Sequence, residues 1–167
     1  MSELTTSQKE TLALFTSGAN KLEMAVTGLS EKELDYSIAP DEWTIRQIVH
    51  HVAEDGDAWS MAFKKTIATP GTPIRFEGFP GNEAWANALA FHKRPVQTAL
   101  MLLKSHRQVI AELAEFFPDA WEQYVTIVDP QGQEVQNVSG GQIIRMVGEH
   151  LVEHIATIET IKRQYGI

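Results

Sequence analysis

Four stretches of more than twenty residues each repeat apolar side chains at steps of three and four. That spacing draws one apolar stripe along a helix, and a stripe that long must be buried against others like it. The first stretch runs from about Ser7 to Thr27, with Leu12, Phe15, Ala19, Leu22 and Val26 on one face. The second runs from about Thr44 to Ala68, with Ile45, Ile48, Val49, Val52, Trp59 and Phe63. The third, from about Arg94 to Phe117, carries Val96, Leu100, Leu103, Ile110, Leu113 and Phe117. The fourth, from about Gly141 to Gln164, carries Ile144, Val147, Leu151, Ile155, Ile158 and Ile161. The expected class is all-α: an up-and-down four-helix bundle, with residues 1–167 forming a single domain.

Punctuation between the stretches supports this division. Gly28 is a plausible stop, and Ser30 with Glu33 three residues on predicts a capped short turn. Pro40 places "IAPDEW" in a loop. Pro and Gly from Pro70 to Gly81 predict another loop, and "NEAWANALAFHK" starts a short helix. Between the third and fourth helices, β-branched and aromatic residues flank "DPQG". That pattern predicts a small β-hairpin or extended excursion.

Composition excludes several functions. The 167 residues carry a net charge of −8, which speaks against nucleic acid as a partner, since phosphate contact wants a basic face. There is no cysteine, so disulfides, thiolate metal sites and a cysteine nucleophile are excluded. A transition metal would have to be held by His, Asp or Glu. The polar N-terminus lacks the apolar core of a signal peptide, and no apolar run is long enough for a bilayer. The expectation is a cytoplasmic protein with no membrane association.

The chemistry concentrates in "GEHLVEHI", Gly148 to Ile155. On a helical wheel His154 lies roughly 40° from the centre of the apolar face and His150 roughly 80° from it. Glu149 and Glu153 point the other way. The two imidazoles share one edge of the buried face, about 6 Å apart along the axis, which lets both converge on one ion. Packed core histidines are the competing reading. The second helix adds "HH". His51 falls on the flank of its apolar stripe with Thr44, Ile48 and Asp55, and His50 falls nearer the polar back. Three neutral imidazoles would leave positions open on a divalent ion, which suits a catalytic site better than a closed structural one. His92 and His106 read as surface residues, although His106 could line a cavity.

With these residues in view, the chain resembles the DinB/YfiT superfamily of four-helix-bundle metalloproteins. "EWTIRQIVHHVAEDGDAW" is similar to the family's Trp-Thr-x-Arg-x-x-x-x-His-x-Ala pattern. "NEAWANAL" resembles an acidic-plus-Trp segment before the third helix, and "GEHLVEHIATI" matches the C-terminal HxxxH. The resemblance implies three metal ligands, His51, His150 and His154, and a divalent transition metal: nickel, zinc, iron or manganese. It also implies a small-molecule substrate, with either a hydrolase or a low-molecular-weight-thiol S-transferase activity, and a homodimer. A non-catalytic bundle that binds a metal or small ligand is the alternative. The YfiT branch carries further histidines around both motifs, where this chain has Asp55, Asp57 and Glu153.

Glu54 and Asp55 are the candidate acid–base residues. Asp55 shares a face with His51 and could orient an imidazole or accept a proton. Trp43 reads as an aromatic staple packing the loop onto the bundle. Arg46 reads as a surface or interhelical charge partner, with an anion-gripping role as the lesser reading.

Overall fold

The structure, a computed structural model, describes residues 3–76 and 83–167. Helix α1 spans Thr6–Val26, the short α2 spans Glu31–Leu34 and α3 spans Ile45–Ala68. Strand β1 is Pro73–Arg75, α4 is Glu83–Ala88 and α5 is Gln97–Phe116. A 3-10 turn at Pro118–Trp121 leads into β2, Tyr124–Val128, and β3, Glu134–Ser139. Helix α6, Gly140–Tyr165, ends on Gly166 in the left-handed conformation at φ 72°.

Side-chain chemistry sets these boundaries. Helices α1, α2, α3 and α6 each open on a reciprocal capping box, Thr5 with Gln8, Ser30 with Glu33, Thr44 with Gln47 and Ser139 with Gln142. Helix α5 has no side-chain cap and starts at Gln97, later than the periodicity suggests. Pro95 accounts for the delay, because it disfavours helical geometry at Arg94. At the other end Phe117 leaves the helix at φ −119°, ψ 72°, and its ring is 40% exposed rather than inward.

The four long helices form the expected four-helix bundle, with directions that depart from a simple up-and-down order. Helix α6 packs on both α1 and α3, and α5 packs on the same two from the other side. Phe15 lies beside Gly148, Gly18 beside Leu151, and Lys162 reaches the Ala25 carbonyl, so α1 and α6 run parallel. Asp55 meets His150 while Phe63 meets Gly140, so α3 runs against α6. His50 bonds the Arg94 carbonyl and Asp57 reaches His106, so α5 runs with α3. The path is therefore up, down, down, up, and the connection from Thr69 to Val96 carries the chain back along the bundle. Part of the expected Pro70–Gly81 loop, residues 77–82, lies outside the described residues. Its earlier part contains β1 rather than loop alone. The strand pairs parallel with β2, Ile74 opposite Ile127, and β2 pairs antiparallel with β3, Val125 opposite Val138. Strand β3 runs directly into α6, so the sheet fixes where that helix begins.

Two apolar clusters fill the interior. Leu22, Ile48, Val49, Leu103, Leu151 and Ile158 belong to one, and Phe15, Trp59, Phe63, Ile110, Ile144 and Val147 to the other. Along the long helices the two clusters are separated by one to two turns. Asp55, Arg107 and His150 lie in those gaps, beside the buried glycines Gly18, Gly56 and Gly148. The bundle is thus crossed at mid-height by a polar layer.

Candidate metal centre

The site grows out of that layer. Residues four apart on a helix lie one above the other, so His150 and His154 of α6 present their rings together, centroids 4.5 Å apart. His51 comes from α3, which runs antiparallel across the interface, and its ring lies 5.0 Å from that of His150 and 4.8 Å from that of His154. The Nε2 atoms of His51 and His154 lie 3.3 and 3.0 Å from Nε2 of His150. One ligand atom from each of the three residues fits within 4.8 Å of the others. His51 is buried and the other two are half-buried. Trp43 packs its ring edge-on against His51 at 4.7 Å, so the staple holds a site residue as well as a loop.

Asp55, one turn beyond His51, places Oδ2 3.1 Å from Nδ1 of His150. A carboxylate accepts only, so Nδ1 carries the proton and Nε2 presents its lone pair towards the other two imidazoles. Nitrogens that converge in this way suit a cation. Two imidazole nitrogens on one zinc-like ion at tetrahedral geometry stand about 3.3 Å apart, close to both spacings here. The donor set, three imidazoles with a carboxylate behind one of them, fits a divalent transition metal. Burial and the neighbouring His150 and His51 push the His154 imidazole down to about 4, so it is neutral and ready to coordinate near pH 7.

Glu54 is not brought to the cluster. Its carboxylate pairs with Arg94 at 3.6 Å. His50, expected nearer the polar back of its helix, is 1% exposed. Its Nε2 bonds the Arg94 carbonyl at 3.1 Å and its ring stacks on Phe91, because the turn before α5 covers that face. His106 is half-buried against Asp57 of α3 rather than on the surface, at 3.4 Å. His92 is exposed, as expected. Arg46 is 4% exposed and not a surface residue. It is held by Asp35 at 2.7 Å and Glu31 at 2.9 Å, and bonds the Glu31 and Arg94 carbonyls, so it is committed to tying the preceding loop to α3.

Arg107 was not anticipated. It is 3% exposed inside the bundle, donating from Nη1 to the Phe15 carbonyl and from Nη2 to the Val147 carbonyl at 2.9 Å. Burial lowers its guanidinium to about 10, against a counteracting pull from Asp55. The signal in the sequence was its place on the apolar stripe, between Leu103 and Ile110.

Asp55 and His150 also line an open cleft of about 940 Å³. Trp59, Trp121 and Met146 supply apolar wall, and Arg145, Glu149 and Glu153 bring charge to it. Of the three imidazoles only His150 lines this cleft, so the cleft meets the cluster at its His150 edge. Among the described residues no helix is long and apolar enough to cross a membrane.

Residues 14–158 match the family model of the DinB superfamily. A Geobacillus thermodenitrificans protein named "Putative metal-dependent hydrolase" is 28% identical over 160 residues, 95% of this chain and 85% of that protein. A Bacillus mycoides protein of the same description is 28% identical over 83% of this chain and 78% of its own length. Among solved structures, YfiT from Bacillus subtilis is described as "a probable metal-dependent hydrolase with an unusual four-helix bundle topology". It superposes with a TM-score of 0.84 at 20% identity, over 99% of this chain and 92% of that one. A mycothiol-dependent maleylpyruvate isomerase superposes at 0.64 and 17% identity, over 90% of this chain and 60% of that one.

Proposed function

The chain belongs to the DinB superfamily, and from that premise we propose that it is a divalent-metal-dependent hydrolase acting on a small molecule. His51, His150 and His154 are the ligands in this reading. The observation that carries it is the meeting of three imidazole nitrogens beside an open cleft, with His150 oriented by Asp55. A divalent ion held there by the three imidazoles would supply Lewis acidity to a bound substrate. The names of the sequence relatives support hydrolysis as the reaction class.

The protein's own residues divide the work. Asp55 fixes the tautomer of His150 and sits on the cleft wall, which makes it an orienting group first and a proton acceptor second. Glu54, paired with Arg94, takes no part. Trp59 and Trp121 offer flat apolar faces to the substrate, and Trp43 stiffens His51. Transfer of a low-molecular-weight thiol is the second reading, supported by the mycothiol-dependent neighbour. A cytoplasmic homodimer completes the proposal. Leu102, Val109 and Phe116, exposed at seven-residue steps on α5, offer a partner copy an apolar stripe.

The test is a panel of esters, amides and thiol-conjugation substrates, run with chelator-treated protein resupplied with Zn²⁺, Ni²⁺, Fe²⁺ or Mn²⁺. Metal-dependent ester or amide cleavage that is lost in His150→Ala supports the hydrolase. Conjugation without cleavage supports thiol transfer. No metal-dependent turnover on any substrate would favour a binding bundle.

A further inference from the structure

We propose that Arg107 is a positioning residue for His150, its buried charge holding the Asp55 carboxylate against the His150 ring. The inference starts from the polar layer. Gly18 stands against Arg107, Arg107 bonds the carbonyl of Val147 within one turn of His150, and His150 bonds Asp55, so the four lie together between the two apolar clusters. Arg107 and Asp55 are 3% and 4% exposed. The layer therefore holds one buried cation and one buried anion, and the anion touches a candidate ligand.

Among the described residues no carboxylate lies within ion-pairing distance of Arg107, whose two Nη groups are spent on the neutral carbonyls of Phe15 and Val147. The guanidinium also lies 4.4 Å over the Phe15 ring. Its Nε is buried without a hydrogen-bond partner. Burying a guanidinium costs more than burying a neutral donor that could reach the same carbonyls, so charge is what this side chain adds. Gly18 clears the space. A Cβ there would stand 3.1 Å from Nη1 of Arg107 and 2.8 Å from Leu151.

Asp55 makes its hydrogen bond to His150 from the wall of the open cleft. Without a cation behind it, a buried carboxylate is drawn towards water in that cleft and away from Nδ1. His150 then loses the acceptor that fixes its tautomer, and the proton is free to occupy Nε2, where it blocks coordination.

This inference rests on the metal-centre reading, so its first readout is taken on metal-free protein. With ¹⁵N-histidine labelling at pH 8, wild-type His150 is expected as a single Nδ1–H tautomer. Arg107→Met is expected to give a tautomer mixture, while Arg107→Lys, which keeps the charge and loses the fork, retains the single form. Zn²⁺ affinity should fall about tenfold in Arg107→Met, with no further fall when that change is added to Asp55→Asn. A folded Arg107→Met that keeps one tautomer overturns the inference. So does Arg107→Lys as mixed as Arg107→Met, because the fork and not the charge would then matter. Failure of both variants to fold also overturns it and assigns Arg107 to holding the bundle. A single tautomer in wild-type protein that binds no metal would sink the metal reading alone.

Discussion

Asp55 and His150 stand 95 residues apart in the chain, yet Oδ2 of one lies 3.1 Å from Nδ1 of the other. This contact joins α3 to α6 and decides which ring nitrogen of His150 faces His51 and His154. Asp55→Asn keeps the shape and removes the charge. It should weaken divalent-metal affinity about tenfold to a hundredfold while the far-UV spectrum is unchanged. Competition against a chromophoric chelator measures this, and an unchanged affinity would show that His150 is oriented by other means.

Stability of the metal-free protein should fall in acid through the histidines. The folded state holds His154 down at about 4, and burial also lowers His50. An unfolded histidine titrates near 6.5. Between those values the unfolded chain binds more protons, so stability is full above about pH 6.5 and drains as pH falls towards 4. The loss from His154 is on the order of 2–3 kcal/mol. Urea midpoints at pH 7.5 and 5 in chelator should show it, and His154→Gln should flatten the difference.

The helices and the HxxxH pair were legible because both depend on local spacing. Cap residues, apolar steps and a four-residue interval survive without knowledge of the fold. The direction of α5 was not legible, since the connection before it carries no signal of crossing the bundle. Strand β1 was hidden for a related reason: three residues of loop become a strand only because β2, some fifty residues on, lies beside them. His50 was misplaced because a wheel sees one helix, whereas Phe91 and Arg94 cover its outer flank. Arg107 breaks an apolar stripe, but only the neighbouring helices show what the break is for.

Glycines at two positions of α6 should behave oppositely. A Cβ on Gly140 would collide with the Ala120 carbonyl oxygen, whereas one on Gly148 meets Phe15 at an ordinary 3.5 Å. Gly140→Ala is expected to cost about 2 kcal/mol or more through displaced backbone. Gly148→Ala should be neutral or stabilise by up to about 1 kcal/mol, the usual gain of Ala over Gly in a helix. Thermal denaturation of the pair separates the two cases.

Arg46 belongs to the same sequence motif as His51 but serves the fold. Its guanidinium ties Asp35, the Glu31 carbonyl and the Arg94 carbonyl to the start of α3. Arg46→Met should lower stability by about 1–3 kcal/mol, chiefly through loss of the charge-assisted bonds this buried side chain makes. Metal affinity of the folded variant should match wild type, and a large loss of affinity would place Arg46 in the site instead.

The most direct test of the metal centre is calorimetric titration of Zn²⁺ and Ni²⁺ into chelator-treated protein and into His51→Ala, His150→Ala and His154→Ala. One ion per chain is predicted for the wild type, with affinity reduced at least about a hundredfold in every variant. Binding that all three variants retain, or no binding by the wild type to either ion, would contradict it.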